Sequence, residues 1–269
     1  MRSDGKHFRD SSLSYAHNQN ARDAGDSASQ SDRTVTRRRA LGVLAGGLVV
    51  AGVGTLVAPS AIRYLFDAHQ RAEAEEWRAA IQERRAARDG MLEELLDAVR
   101  AYNRALDEDG QAGLRDAWSY QEPSFELAAY GIRDGVYGTL SVPGITYESK
   151  VRLGASEQTL GLGAAHLSQT SLPVRPVEGV SANAVIAAHR GLWYGTELTE
   201  IESLVVGDEI CFVNPWETLR YSVAETRVID PSDIDAIKIQ EGRNLLTLVT
   251  CHPLYRNYQR YVVYGEYID

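Results

Sequence analysis

Three side chains in the second half of this sequence, a thiol, an imidazole and a guanidinium, have the chemistry of a nucleophilic site. Cys251 ends the apolar run 247–251, and Arg260 opens the next apolar run nine residues later. If the two runs pair as an antiparallel hairpin, the thiol and the guanidinium lie at the same end of a sheet. His189 follows the apolar run 184–188 and faces a predicted turn. Because a thiol with a pKa of about 8.5 is little ionised at neutral pH, a neighbouring base or cation is what cysteine chemistry requires.

The same residues also have structural interpretations. A cysteine within a strand is commonly a small buried side chain, and in an oxidising compartment Cys211 and Cys251 could instead form a disulfide. His189 could be a hydrogen-bonded turn residue, and Arg260 a charge on an edge strand. The histidines and cysteines show no metal-ligand spacing with one another. The sequence therefore predicts no metal site and no cofactor.

Composition and charge indicate one sizeable domain that does not bind nucleic acid. The chain has 269 residues, of which 44% are hydrophobic and 24% are charged. Residues 1–39 carry eight Lys/Arg and five Asp/Glu, so their net charge is positive. Residues 40–269 are therefore more negative than the net charge of -9 for the whole chain. Since phosphate binding requires a dense basic face, this acidic remainder argues against a nucleic-acid partner.

The N-terminal third predicts a tail followed by a membrane anchor. Residues 1–39 are polar and predict a disordered cytoplasmic tail. Residues 40–62 carry no charge, and 23 residues at about 1.5 Å each span a bilayer core of roughly 30 Å. The arginines at 37–39 place the tail inside and the rest of the chain outside the cell. A cleaved export signal is the alternative, but the apolar run is longer than the usual signal.

Residues 63–130 are predicted to form a helical stalk and possible lid. An apolar stripe with helical spacing indicates a docking face, and it consists of Leu92, Leu95, Leu96, Val99 and Leu106. Gly90 is predicted to break the helix in two, and residues 107–116 to form a loop. The stretch could be a charged stalk or a regulatory element. We predict that residues 107–130 cover the cleft of the site proposed around Cys251. The basis is a cluster of aromatic residues, which consists of Trp118, Tyr120 and Phe125.

Residues 131–269 predict a β domain, because short β-branched and aromatic runs alternate there with Gly, Pro and Asn. The predicted strands are 136–142, 146–153, 183–188, 209–214, 219–229, 245–250 and 260–268. Short helices are predicted on the connections at 197–204 and 232–239. Strands of this number and length, with few helices, indicate a sandwich or a closed barrel.

The chain resembles the sortases, and most closely the pilin-polymerising class C. Thr247-Leu-Val-Thr-Cys251, with Arg260 nine residues later, resembles the family's active-site signature. The segment 183–192, which contains His189, is similar to the family's histidine segment. Residues 163–173, Gly-Ala-Ala-His-Leu-Ser-Gln-Thr-Ser-Leu-Pro, resemble its Gly-x-x-His segment. The resemblance runs in consistent order over about 136–268.

The resemblance implies a mainly β fold, an eight-stranded sortase-type β-barrel with short connecting helices, anchored in the cell membrane of a Gram-positive bacterium. It implies that Cys251 attacks the Thr-Gly bond of a Leu-Pro-x-Thr-Gly-like sorting signal and forms a thioester. His189 would protonate the leaving amine and activate the incoming one, and Arg260 would stabilise the oxyanion. The implied partners are surface proteins or pilins with such a signal, and an amine acceptor.

Three functions remain open at this stage. The acceptor is a pilin lysine in pilus assembly, or a peptidoglycan amine in a wall-anchoring sortase. The same fold could instead hydrolyse peptides as a cysteine protease. A non-catalytic, membrane-tethered binding barrel with a Cys211–Cys251 disulfide is the third possibility.

Class C members carry a lid built on Asp-Pro-aromatic, and this chain has Glu122-Pro123-Ser124-Phe125 instead. His252-Pro253 after the cysteine also differs from the family.

Overall fold

The computed structural model describes residues 41–45, 61–114, 122–123, 126–191 and 198–269. The chain divides into two compact units, Met1–Pro59 and Ser60–Asp269. In the first unit, residues 41–45 are helical and exposed. The predicted tail and most of the predicted anchor lie outside the described residues. In the part of the chain that is described, no helix is long and apolar enough to cross a membrane.

Two long helices begin the second unit. Helix α1 covers residues 61–86, and helix α2 is Gly90–Glu108. The break lies just before Gly90 rather than at it, because Arg88 has a left-handed backbone (φ 52°) and the Asp89 side chain accepts a hydrogen bond from the backbone N–H of Met91, which caps α2. A short helix α3, Glu157–Leu160, was not predicted. Single 3-10 turns lie at Leu127–Tyr130, Pro143–Ile145, Ile201–Ser203 and Asp235–Ile237.

Eight strands close into a barrel in the order β1-β2-β3-β4-β7-β8-β6-β5. The pairs β2–β3 and β4–β7 are parallel, the other pairs are antiparallel, and the β1–β5 pair closes the barrel. The strands are β1 Val136–Val142, β2 Tyr147–Leu153, β3 Ala164–His166, β4 Ala182–Ala187, β5 Glu209–Val213, β6 Thr218–Ile229, β7 Asn244–His252 and β8 Gln259–Tyr267. The barrel expected from the resemblance is confirmed.

Strand β7 is mostly apolar over residues 245–250, where both of its faces are buried. Leu246 and Leu248 belong to the main core cluster, to which all eight strands contribute. Leu245 and Val249 point the other way, into a second cluster formed with Ile237 and other residues. Since side chains alternate between faces along a strand, residue 251 lies on the face of the second cluster, at the end of the strand.

Both long helices pack on the barrel. Trp77 and Ile81 of α1 form a small cluster with Val136 of β1. Leu95 and Val99 of α2 belong to the main core, so the predicted apolar stripe is buried against the domain.

Polar contacts reinforce this docking. The side-chain amide of Asn103 donates to the carbonyl of Leu172 at 2.9 Å and accepts from its N–H at 2.8 Å. The indole of Trp216 donates to the carbonyl of Leu92 at 2.7 Å. Undocking of the helix would break these buried hydrogen bonds, each of which contributes about 0.5–1.5 kcal/mol to stability.

Candidate active site

The β7–β8 hairpin places Cys251 and Arg260 directly opposite each other. The two strands are antiparallel, and their register pairs residue 251 with residue 260 and His252 with Gln259. The short loop between them begins after the thiol and ends before the guanidinium. The hairpin predicted from the spacing of the two residues is therefore present.

His189 reaches the same edge of the sheet through a parallel strand pair. Strand β4 runs parallel to β7, with Ala187 opposite Val249, so the C-terminal ends of both strands lie together. The Thr250 hydroxyl donates to the carbonyl of Ala188 at 2.7 Å, and the N–H of Ala188 donates to the carbonyl of Val249 at 3.3 Å. These bonds join the backbone just before the imidazole to the backbone just before the thiol.

All three residues line one open cleft at this edge. Apolar side chains form most of the wall, and four of the lining residues are polar. The lining residues are Ala155, Leu160, Leu167, Ala187, Ala188, His189, Val249, Thr250, Cys251 and Arg260. A mostly apolar cleft with a few convergent polar groups is the usual form of a small-ligand or peptide site. Ala155 and Leu160, next to and within α3, were not among the residues predicted for the site.

The imidazole in this cleft is mainly neutral at pH 7. Burial lowers the pKa of His189 below its ordinary value of 6.5, and the negative charge of Glu157 opposes that shift only in part. A neutral imidazole can take a proton from a thiol, after which it becomes a proton donor. The site therefore has a base beside a possible nucleophile.

The guanidinium of Arg260 is held at the start of β8 by its own loop. Its Nη1 donates to the carbonyl of Asn257 at 2.8 Å and to the carbonyl of Gln259 at 2.9 Å. Because a guanidinium stays charged at all physiological pH values, it keeps a positive charge at the cleft.

Both cysteines are free thiols, so the disulfide considered from the sequence is absent. Cys211 lies on β5, between Ser141 of β1 and Arg220 of β6. Its sulfur lies 2.9 Å from the carboxylate of Glu209. Burial and that carboxylate raise the pKa of Cys211 to about 11, so this thiol stays protonated at neutral pH.

His166 has a structural position outside the cleft lining. It is fully buried at the end of β3, where Nε2 lies 2.8 Å from the carbonyl of Ser171 and 3.1 Å from the hydroxyl of Thr170. Burial lowers the pKa of His166 to about 4, so the ring is neutral. Across the described residues, no group of three or more His, Cys, Asp or Glu side chains could hold a metal ion.

Of the segment 107–130 that was predicted to cover the cleft, residues 107–114, 122–123 and 126–130 are described, and Trp118, Tyr120 and Phe125 lie outside the described residues. Leu114 and Leu127, near the two ends of the segment, are buried in the core. The hydroxyl of Ser168 donates to the carbonyl of Glu122. Since Leu167 lines the cleft, this contact brings Glu122 next to the cleft wall.

A charged cluster next to the cleft was not found from the sequence. It joins Arg190, Glu202 and His252. Arg190 and His252 directly follow His189 and Cys251 in the chain, and this adjacency could have identified them from the sequence. No sequence pattern identifies Glu202, which lies on a separate connection.

Comparison with known proteins gives consistent matches. Residues 140–268 match the sortase domain family. The chain is 25% identical over 172 residues to Sortase A of Bacillus anthracis, covering 63% of this chain and 79% of that protein.

Two solved structures from streptococci are also similar. The Group B Streptococcus pilus island 1 sortase C2 is 32% identical with a TM-score of 0.58, and the match covers 67% of this chain and 98% of that one. The sortase C1 of Streptococcus agalactiae is 30% identical with a TM-score of 0.59, and that match covers 66% and 90% of the two chains.

Proposed function

The chain belongs to the sortase family and is a cysteine transpeptidase, and on that premise we propose that it cleaves a Leu-Pro-x-Thr-Gly-like sorting signal and joins it to a pilin lysine. The observation that carries this proposal is the convergence of Cys251, His189 and Arg260 on one cleft. A thiol, a base and a fixed cation are the groups that acyl transfer through a thioester needs.

In the proposed first half-reaction, the Cys251 thiol gives its proton to His189 and the sulfur attacks the threonine carbonyl. Arg260 stabilises the negative oxygen of the tetrahedral intermediate. When that intermediate collapses, the bond to glycine breaks, and His189 gives its proton to the leaving glycine amine. The product is a thioester between the threonine carbonyl and the sulfur.

In the second half-reaction, an incoming amine attacks the thioester and His189 accepts its proton. The amide product then departs, and His189 returns the proton to the sulfur of Cys251, which is a thiol again. A pilin lysine is the favoured acceptor because similar structures include a sortase whose name places it in a pilus island. A peptidoglycan amine is the second candidate, since the match to Sortase A of Bacillus anthracis carries no pilus assignment.

The acceptor is tested by product analysis with a sorting-signal peptide. With no amine present, we expect slow release of the free acid. Adding a lysine-containing pilin peptide should divert the product to an amide, and a cell-wall peptide amine should divert less at equal concentration. Preferential use of the wall amine would favour the anchoring alternative, and release of free acid alone would indicate a protease.

The cellular placement is part of the proposal. Sortases are typically associated with the cell surface of Gram-positive bacteria. We place residues 1–39 in the cytoplasm, residues 40–62 in the membrane as a single span, and the catalytic domain outside. The charge pattern of 37–62 supports this placement. Protease protection of a tagged N-terminus in intact cells, with the β domain digested, is the expected result.

We also propose that the segment around Glu122 restricts access to the cleft, and the bond from Ser168 supports this. Deleting all of 107–130 is unsuitable, because Leu114 and Leu127 are buried in the core. Replacing Trp118, Tyr120 and Phe125 together by alanine should raise the cleavage rate. An unchanged rate would contradict the proposal.

A further inference from the structure

One carboxylate joins the two strand ends that carry the imidazole and the thiol. Glu202 Oε1 lies 2.6 Å from Nη1 of Arg190 and 2.6 Å from Nδ1 of His252. Arg190 is the residue after His189, and His252 is the residue after Cys251. Glu202 itself comes from the 3-10 turn Ile201–Ser203, on a separate connection.

The geometry assigns the hydrogens in this cluster. At 2.6 Å from a carboxylate, Nδ1 of His252 carries the hydrogen and donates it to Glu202. The 3.3 Å approach of Arg190 Nη1 to the same nitrogen is therefore a close contact and not a hydrogen bond. The Arg190 hydrogen bond, followed by contacts with His252, lowers the pKa of Glu202, so the carboxylate is ionised at neutral pH.

The cluster has one buried member and one exposed member, because the side chain of Glu202 is 42% exposed. The side chain of Arg190 is only 3% exposed, and a buried guanidinium requires a counter-charge. The ring of His252 is held on its other side by Tyr261, with ring centroids 5.8 Å apart. Because the His252 ring lies between Glu202 and Tyr261, displacement of Glu202 should shift the backbone of residue 252.

Further bonds fix the backbone next to His189. Arg190 Nε donates to the carbonyl of Thr199 at 3.2 Å, and the N–H of Gly191 donates to the Thr199 hydroxyl at 3.2 Å. Gly191 has a φ of 71°, and a Cβ there would lie 2.6 Å from Leu254 Cδ1. The loops after His189 and Cys251 are thus in close contact, with Glu202 bonded to both.

We propose that Glu202 is a positioning residue, which holds His189 and Cys251 in register through Arg190 and His252. This inference rests on the proposed function of those two residues. Because proton transfer requires hydrogen-bond distances, a shift of about 1 Å between the two strand ends can reduce the rate by about 100-fold. Substrate binding in the apolar part of the cleft does not depend on the cluster, so kcat should fall and KM should stay nearly constant.

The test uses the full-length protein and three variants. Glu202→Gln removes the charge but keeps the shape. His252→Gln removes the imidazole link to the Cys251 strand together with the ring contact to Tyr261, and it leaves Arg190 paired. Glu266→Gln is the control, because Glu266 pairs with Arg243 at 3.3 Å at the opposite end of β8. Two readouts are needed: kcat and KM with a sorting peptide, and the rate at which iodoacetamide alkylates Cys251.

We expect Glu202→Gln and His252→Gln each to lower kcat per folded enzyme by about 10- to 100-fold with KM within about twofold. Alkylation should slow several-fold, and the control should match wild type in both readouts. The double variant should be no slower than Glu202→Gln, since both changes break the same connection.

Normal kcat and alkylation in both variants would overturn the inference. So would a loss of activity that disappears after correction for the folded fraction, because that result indicates a purely structural role. If wild type cleaves no sorting peptide at all, the proposed function fails. The alkylation rates would still report whether Glu202 controls the environment of the thiol.

Discussion

At the scale of single residues, the neutral state of His189 is the feature with the most direct chemical consequence. A half-buried imidazole with a lowered pKa does not hold a permanent positive charge in the cleft. The permanent positive charge in the cleft is the guanidinium of Arg260. In the mechanism proposed above, the imidazole therefore supplies proton transfer, and the guanidinium supplies charge stabilisation.

The pH dependence of cleavage follows from this division. When the pH falls through the pKa of His189, the ring takes a proton from solvent and can no longer accept one from the thiol. Since burial holds that pKa below 6.5, the acid limb of kcat/KM should have its midpoint below pH 6.5. Glu157→Gln removes a charge that raises this pKa, so it should move the limb to lower pH. A midpoint above 6.5 in wild type, or an upward shift in the variant, would contradict this account.

Arg260 is expected to act on the transition state. Arg260→Ala should lower kcat by roughly 10² to 10³, the usual effect of removing one oxyanion-stabilising donor. Arg260→Lys should recover part of the loss, because it keeps the charge without the planar donor geometry. Steady-state cleavage of a sorting peptide measures both, with Arg227→Ala on the adjacent strand β6 as the matched control. Equal losses in the control would mean that the sheet, and not the site, was damaged.

At the scale of elements, the long strands were predictable and the short ones were not. Strand β1 has the predicted bounds, and five of the other predicted strands differ by one residue at one or both ends. The hairpin strand β7 is longer at both ends, by one residue and by two. β-branched runs and turn residues are local signals, which explains this agreement. Strand β3 has only three residues, Ala164–His166, and no alternation, so its pairing with β2 and β4 decides its structure.

The geometry of the candidate site was also predictable only in part. The proximity of Cys251 and Arg260 follows from a local hairpin and could be predicted from spacing alone. The approach of His189 requires the parallel β4–β7 pair, whose partners are about 60 residues apart in the chain. From the sequence it came only through a family resemblance. Glu202 is a tertiary contact without any pattern, so no sequence argument identified it.

The docking of α2 depends on one buried amide. Asn103→Ala leaves the N–H and C=O of Leu172 unpaired inside the protein, so we expect a loss of about 1–3 kcal/mol in the free energy of unfolding. Denaturant titration measures it. Arg104→Ala is the control, because that neighbouring side chain is exposed on the same helix and should change stability little. Equal stability of the two variants would show that the helix is not held by this contact.

At the scale of the whole molecule, the core and the candidate site lie in one compact unit. The barrel, both long helices and the cleft all fall within Ser60–Asp269. The acidic character of the chain is also concentrated there, since the first 39 residues carry a surplus of basic side chains. Folding and chemistry should therefore be properties of this unit, and cellular placement a property of the N-terminal residues.

A fragment of residues 60–269 should fold and cleave sorting peptides at a rate close to that of the full chain. Circular dichroism and peptide cleavage are the measurements, and the full-length protein in detergent is the reference. An unfolded fragment would show that the first unit contributes to the core. A folded but inactive fragment would show that it contributes to the site.

The central claim is that Cys251 carries the acyl group during the reaction. Intact-mass measurement after incubation with a panel of sorting-signal peptides, without an amine acceptor, tests it most directly. Wild type and Cys211→Ala should both gain the mass of the peptide up to its threonine, and Cys251→Ala should gain nothing. An adduct that persists in Cys251→Ala, or one that is lost in Cys211→Ala, would contradict this account.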